Sequence, residues 1–148
     1  MRNHGYQSYF DNEVLAASPL KLIQLLFSAA LDSIASARRH LRRGDILARV
    51  RAINKALRIV TELSRCLNHE VGGDLSRRLA EIYAYVIRLL IEANATQREA
   101  PLADAERLLS TLDEAWRACT PSVREPEQCP PDLIPDTYVV SDTAAPAR

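Results

Sequence analysis

At 148 residues and zero formal net charge, the chain has the size of one domain and no global field to attract nucleic acid or anionic lipid. A hydrophobic share of 47% is enough for a globular core, while four glycines and 5% aromatic residues suit helices better than a sheet of tight turns. There is no run of about 18 apolar residues to span a bilayer. The start MRNHGYQSYF lacks the apolar core of a signal peptide, so a cytoplasmic protein without membrane insertion is expected. Cys66, Cys119 and Cys129 form no CxxC and leave one thiol over in any disulfide scheme, which fits a reducing compartment.

In chain order, residues 1–17 hold Tyr6, Tyr9, Phe10, Val14 and Leu15 without a good helix start. Ser18-Pro19 supplies one, a capping hydroxyl followed by a proline at the first helical position. Ile23, Phe27, Ala30, Ile34, Ala37 and Leu41 then recur at the spacing of a single helical face. Arg42-Arg43-Gly44 reads as the end of that helix, and Asp45 as the immediate cap of the next. A joint this short forces the two helices to be antiparallel neighbours.

The second helix carries Ile46, Val50, Ile53, Leu57, Val60 and Leu67 on its core stripe, and Ala52, Ala56, Ile59 and Leu63 beside it. The pattern predicts a stop at Val71-Gly72-Gly73 and a third helix capped by Asp74, with Leu75, Leu79, Ile82, Val86, Leu89 and Ala93 inward. Asn94 to Ala100 reads as a polar break before a fourth helix opening at Pro101 and fading near Cys119. From residue 120 onward come six of the eight prolines and five acids against two basic residues. Such a segment can form neither helix nor core and is expected to be disordered. The sum is an all-α fold: an antiparallel up-down-up-down four-helix bundle over 18–119, an N-terminal capping segment over 1–17, and a disordered proline-rich C-terminal tail over 120–148.

Catalytic and metal chemistry find no footing in the pattern. A di-iron or di-manganese bundle site needs Glu-x-x-His pairs, but Ala37 and Cys66 stand three residues before His40 and His69. His69-Glu70 begins like a zincin helix, yet Gly73 occupies the place of the second histidine. Gly72-Gly73 follows no strand and forms no dinucleotide fingerprint. Cys66 has His69 one turn away, a spacing that ordinary packing explains equally well. No enzyme activity, metal or cofactor is expected.

Two surface features invite partners. Between Arg38 and Arg65, nine basic residues face only Asp45 and Glu62. This arginine-rich face of the first two helices would suit an adaptor for an anionic partner or nucleic acid, but no aromatic residue interleaves it for base stacking. A solvated outer face explains it better, and nucleic acid is not expected as a partner. The second feature is apolar surface in excess of one stripe per helix. Ile59, Leu63, Tyr83 and Ile87 are read as lining an exposed groove for an amphipathic partner, with the Tyr6–Leu15 segment resting there when no partner is bound. Such a groove would also permit weak self-association.

Several short motifs, taken together, resemble the flagellar secretion chaperones, the FliS family. They are Tyr9-Phe10, Ala17-Ser18-Pro19-Leu20, Leu25-Leu26-Phe27, Arg43-Gly44-Asp45, Asn68-His69-Glu70-Val71-Gly72-Gly73, Ile82-Tyr83-Ala84-Tyr85 and Glu114-Ala115-Trp116. The resemblance spans roughly residues 6 to 118, and its specificity lies in the order and gaps of the set. It departs at Leu26-Phe27-Ser28-Ala29-Ala30, where the family usually has Leu-Tyr-Asp-Gly-Ala. The resemblance implies a cytosolic chaperone that binds the disordered C-terminal segment of flagellin, prevents premature polymerisation and delivers it to the flagellar type III export gate. It further implies that apolar or aromatic residues at the positions of Tyr6 and Tyr9 pack on the bundle and are displaced by flagellin. Partner binding is accordingly expected at Tyr6, Tyr9, Phe10, Ile59, Leu63, Tyr83 and Ile87.

Overall fold

The computed structural model describes residues 18–119, which form four α-helices and, among the described residues, no strand. The expectations placed on the N-terminal segment and on the tail lie outside these residues. Helix α1 spans Pro19–Arg43, α2 Ile46–Arg65, α3 His69–Thr96 and α4 Glu99–Cys119. Each helix packs against its sequence neighbours, and α1 also packs against α4, closing an antiparallel bundle.

Local chemistry sets the first joint as expected. The Ser18 hydroxyl accepts from the Lys21 amide at 3.3 Å, and Pro19 opens α1. Gly44 adopts φ 71°, a left-handed cap in which the Gly44 and Asp45 amides reach the Leu41 and His40 carbonyls at 3.2 and 3.0 Å. The Asp45 carboxylate then accepts from the Ala48 amide at 3.1 Å, so α2 starts at once.

The second joint differs from the sequence reading. Helix α2 ends at Arg65, and α3 is capped by Asn68, whose side chain accepts from the Glu70 and Val71 amides at 3.0 and 3.1 Å. Leu67 therefore lies in the joint instead of on the α2 stripe. Gly72 and Gly73 do not end a helix but lie inside α3, where Gly73 at φ 49°, ψ −122° kinks the axis. Asp74 pairs with Arg77 within the helix and is not its cap. The side-chain cap offered by Asn68 outcompetes the glycine signal, because it satisfies two orphan amides five residues upstream. The third joint is also tighter than expected: α3 runs to Thr96, Gln97 takes a left-handed conformation at φ 56°, and α4 begins at Glu99. Pro101 sits in the first turn of α4, where its missing N–H is not needed.

The core is one cluster drawn from all four helices. Phe27, Ala30, Ile34 and Ala37 of α1 meet Ile53, Ala56, Val60 and Leu63 of α2. Tyr83, Val86, Leu90 and Ala93 of α3 and Leu102, Ala105 and Leu109 of α4 complete it. Phe27 and Tyr83 lie with ring centroids 6.5 Å apart and planes tilted by 48°, tying α1 to α3 across the bundle. By length and composition alone α1 could cross a membrane, with a mean hydropathy of 1.4 in its best window. Its buried face, with Phe27, Ala30, Ile34 and Ala37, packs on α2 and α4.

Candidate functional site

The residues singled out on the bundle do not form one open groove. Leu63 is 1% exposed and Tyr83 4%, so both belong to the closed core and the expected exposed groove is corrected at these positions. Burial drives the Tyr83 hydroxyl pKa up to about 12, with the neighbouring Cys66 thiol adding to the shift. Leu63 lies seven residues after Ala56 and three after Val60, on the inward face, where an excess stripe is simply a wide core.

Ile59 and Ile87 are half-buried against the core but sit on different flanks. Ile59 follows Ala48, Ala52 and Lys55 at helical spacing, and those three line a shallow depression of about 370 Å³ with Asp32, Ser36 and His40 of α1. Ile59 therefore faces the α1–α2 seam. Ile87 is one turn beyond Tyr83, on the side of α3 that nears the α2 end at Cys66, and so faces the α2–α3 seam. Tyr6, Tyr9 and Phe10 lie outside the described residues.

The exposed apolar side chains are others. Ile46 is 55% exposed, Leu47 70% and Ile91 54%. Ile46 opens α2 and Ile91 lies in the last third of α3, so the antiparallel packing brings them to the same end of the bundle. Ile46 shares its flank with Val50 and Leu57 at i+4 and i+11, and Ile91 shares its flank with Ile87 at i+4, so both edge the α2–α3 seam. At the opposite end Val71 and Leu75 are 45% and 53% exposed around the α3 kink. Periodicity missed this distribution because Ile46 continues the inward stripe of α2 in sequence. It is left uncovered because the helix starts there and, among the described residues, nothing packs above it.

The arginine-rich face is partly consumed within the bundle. Arg38 donates from Nε and Nη2 to Glu99 at 3.0 and 2.7 Å and from Nη1 to Glu106, clasping α1 to α4, and Arg42 joins it on Glu99. The hydrogen bonds from Arg42 and Arg38 hold the Glu99 carboxyl below its usual pKa. Arg65 pairs with Glu62 at 3.2 Å. Arg49 stands on the core stripe one turn above Ile53, is 4% exposed, and its Nε has no acceptor. Among the described residues, Arg43, Arg51, Lys55 and Arg58 make no ion pair, which leaves a basic outer face along α2. No group of three or more His, Cys, Asp or Glu among the described residues could hold a metal ion. Among the described residues the arrangement offers surfaces for binding.

Comparison with known proteins agrees with that chemistry. The family model described as "Flagellar protein FliS" matches residues 1–123. The flagellar secretion chaperone FliS of Salmonella typhimurium is 37% identical over 112 residues, covering 75% of this chain and 83% of that protein. FliSB of Pseudomonas aeruginosa is 34% identical over 110 residues, covering 74% and 87%. FliS of Campylobacter jejuni is 33% identical over 115 residues, covering 78% and 90%. With a bundle whose joints are built on Gly44-Asp45 and Asn68 to Gly73, and a family match over most of its length, this chain belongs to the flagellar secretion chaperone FliS family.

Proposed function

We propose that the protein is a cytosolic export chaperone without enzymatic activity that binds the disordered C-terminal segment of flagellin, prevents its premature polymerisation and presents it to the flagellar type III export gate. The observation that carries the reading is the pair of exposed apolar side chains Ile46 and Ile91 edging the α2–α3 seam, with the exposed Leu47 beside them at the same end, in a bundle whose relatives are named secretion chaperones. A disordered client loses conformational entropy on binding, so it needs an extended apolar surface in return. Ile87 belongs to the same seam, and Ile59 offers a second contact on the α1–α2 side. Leu63 and Tyr83 act only through the core packing that holds α2 and α3 in place. Tyr6, Tyr9 and Phe10 act as a cap that the client displaces.

The test is calorimetric titration of the full chain with a peptide of the flagellin C-terminal segment. One-to-one binding with a negative heat-capacity change is expected. Ile91→Asp should weaken it at least tenfold while leaving the denaturant midpoint in place, because that side chain is already exposed. Absence of binding by the unmodified chain would sink the reading, and full affinity in Ile91→Asp would move the client to another face.

A further inference from the structure

The apolar end of the α2–α3 seam combines three exposed apolar residues with an unusual charge. Arg49 is a buried guanidinium whose Nε lacks an acceptor, set between the exposed Ile46 above it and Ile53 below. Burying a cation without an anion is unfavourable, so such a site is complementary to a carboxylate that arrives with apolar neighbours. Arg51, Lys55 and Arg58 lie on the other side of α2, toward solvent and the α1–α2 seam, and add only to the general basic character of that helix. Residues 18–119 as a whole carry sixteen lysines and arginines against twelve acids.

A complementary segment exists in this chain. Residues 120–148 carry five acids against two arginines, and most of them lie beyond the 1–123 match to the family. Within them, Asp132-Leu133-Ile134-Pro135-Asp136-Thr137-Tyr138-Val139-Val140 places acids around two apolar pairs. Charge and reach together favour this segment over the N-terminal one, whose two acids lie close to the start of α1. Helix α4 is 21 residues, roughly 31 Å at 1.5 Å per residue, and ends at Cys119, at the end of the bundle opposite Ile46. From Cys119 to Leu133 the extended chain spans up to about 46 Å at 3.3 Å per residue, enough to return along the full bundle. The acids before α1, Asp11 and Glu13, leave from that same far end. Asp11 extends at most about 26 Å from Pro19 at 3.3 Å per residue, short of Arg49 near the top of a bundle roughly 37 Å tall.

We propose that residues 132–140 of the chain's own tail dock on the Ile46–Leu47–Ile91 end of the α2–α3 seam, with Leu133 and Val139 on the apolar side chains and Asp132 or Asp136 on Arg49. The docking stands on burial, charge and reach.

The test uses the full chain with Cys66→Ser and Cys119→Ser, both exposed positions, so that a nitroxide can be attached at Cys129 alone. Amide signals of Ile46, Leu47 and Ile91 should broaden, and the broadening should vanish when Leu133→Asp and Val139→Asp are added. With all three native cysteines, that tail pair of substitutions should also shift the same three amides and leave Val71 and Leu75 unmoved. Broadening confined to Val71 and Leu75, no broadening at all, or unchanged amide positions in the tail variant would overturn the proposal. So would equal broadening of an isotope-labelled chain mixed with nitroxide-bearing copies, which would place the tail on a second copy. None of these measurements includes flagellin, so a failure here leaves the client reading to its own titration.

Discussion

Gly72→Ala should destabilise the bundle even though alanine is the better helix former. A Cβ at Gly72 would stand 1.8 Å from the Ser76 hydroxyl oxygen and 2.9 Å from the Ser76 Cβ, both inside contact distance. Ser76 is 6% exposed, and its hydroxyl donates to the Asn68 carbonyl at 2.8 Å, stitching the first turn of α3 to the helix beyond the kink. Rotating that hydroxyl away leaves a buried polar group unpaired, at about 1–3 kcal/mol. The remaining carbon contact adds strain of about 1–3 kcal/mol, as over-packing does. Against this, replacing glycine by alanine in a helix gains only about 0.8–1 kcal/mol. The net loss is about 1–5 kcal/mol, the spread depending on how far the first turn yields. Urea denaturation followed by circular dichroism reads it as a lower midpoint with unchanged slope. The double variant Gly72→Ala, Ser76→Gly removes both clashing atoms and should recover part of the loss relative to Gly72→Ala, despite the cost of a helical glycine. A Gly72→Ala protein as stable as the parent, or a double variant less stable than Gly72→Ala alone, would refute the steric account.

Other outcomes follow from the same geometry. Leu63→Gln should lose stability as Ile53→Gln does, on the order of 3 kcal/mol or more for a buried amide in place of an aliphatic side chain, by the same urea assay. Leu47→Gln, at a position 70% exposed, should stay within about 0.5 kcal/mol of the parent. Glu99 titrates below its usual range in the folded chain, so its contribution is present above the unfolded carboxyl pKa and is lost as pH falls through the lower folded value. Glu99→Gln should therefore flatten the acid limb of the stability profile, and an unchanged limb would deny the Arg38–Arg42 clasp a role. Tyr83, raised to about 12, favours its neutral form in the fold, so stability should decline as pH rises above the ordinary tyrosine value of about 10. Tyr83→Phe should remove that decline and the last step of the tyrosinate absorbance titration. Deleting residues 1–15 should preserve or tighten flagellin-segment binding and raise self-association, by freeing a surface that a cap holds closed. A tenfold weakening would show that those residues touch the client.

The bundle was legible in sequence because each inward stripe is long and regular. Phe27, Ala30, Ile34 and Ala37 recur at helical spacing and are buried, and Ser18-Pro19 and Gly44-Asp45 act as written. Legibility failed where two signals competed. At 66–74 the glycine pair and Asp74 read as a stop and a cap, whereas the Asn68 side chain, by satisfying two amides, starts the helix ahead of both. Gly72 and Gly73 serve separate needs, close approach to Ser76 and a positive φ, neither of which has a linear signature. Outward and inward apolar residues were the other blind spot. Leu63 and Ile46 are alike in hydropathy, but Leu63 sits about 100° further round α2, on the core-facing stripe near the far end of the helix. Ile46 opens the helix at its uncovered end, and this difference in angle and height separates 1% from 55% exposure.

That difference in height bears on how a closed bundle can serve a disordered partner. A client that needed Leu63 or Tyr83 would have to open the core and expose Phe27, Val60 and Val86 with them, at about 1.5–3 kcal/mol for each large side chain uncovered. A client that uses Ile46, Leu47 and Ile91 leaves the core intact and gains by covering side chains already in water. The seam is thus the cheaper surface, and it can be covered and uncovered without unfolding. This also explains why the excess apolar residues of α2 and α3 divide into two populations. Those facing the core fix the spacing of the helices, and those at the open end stand in water.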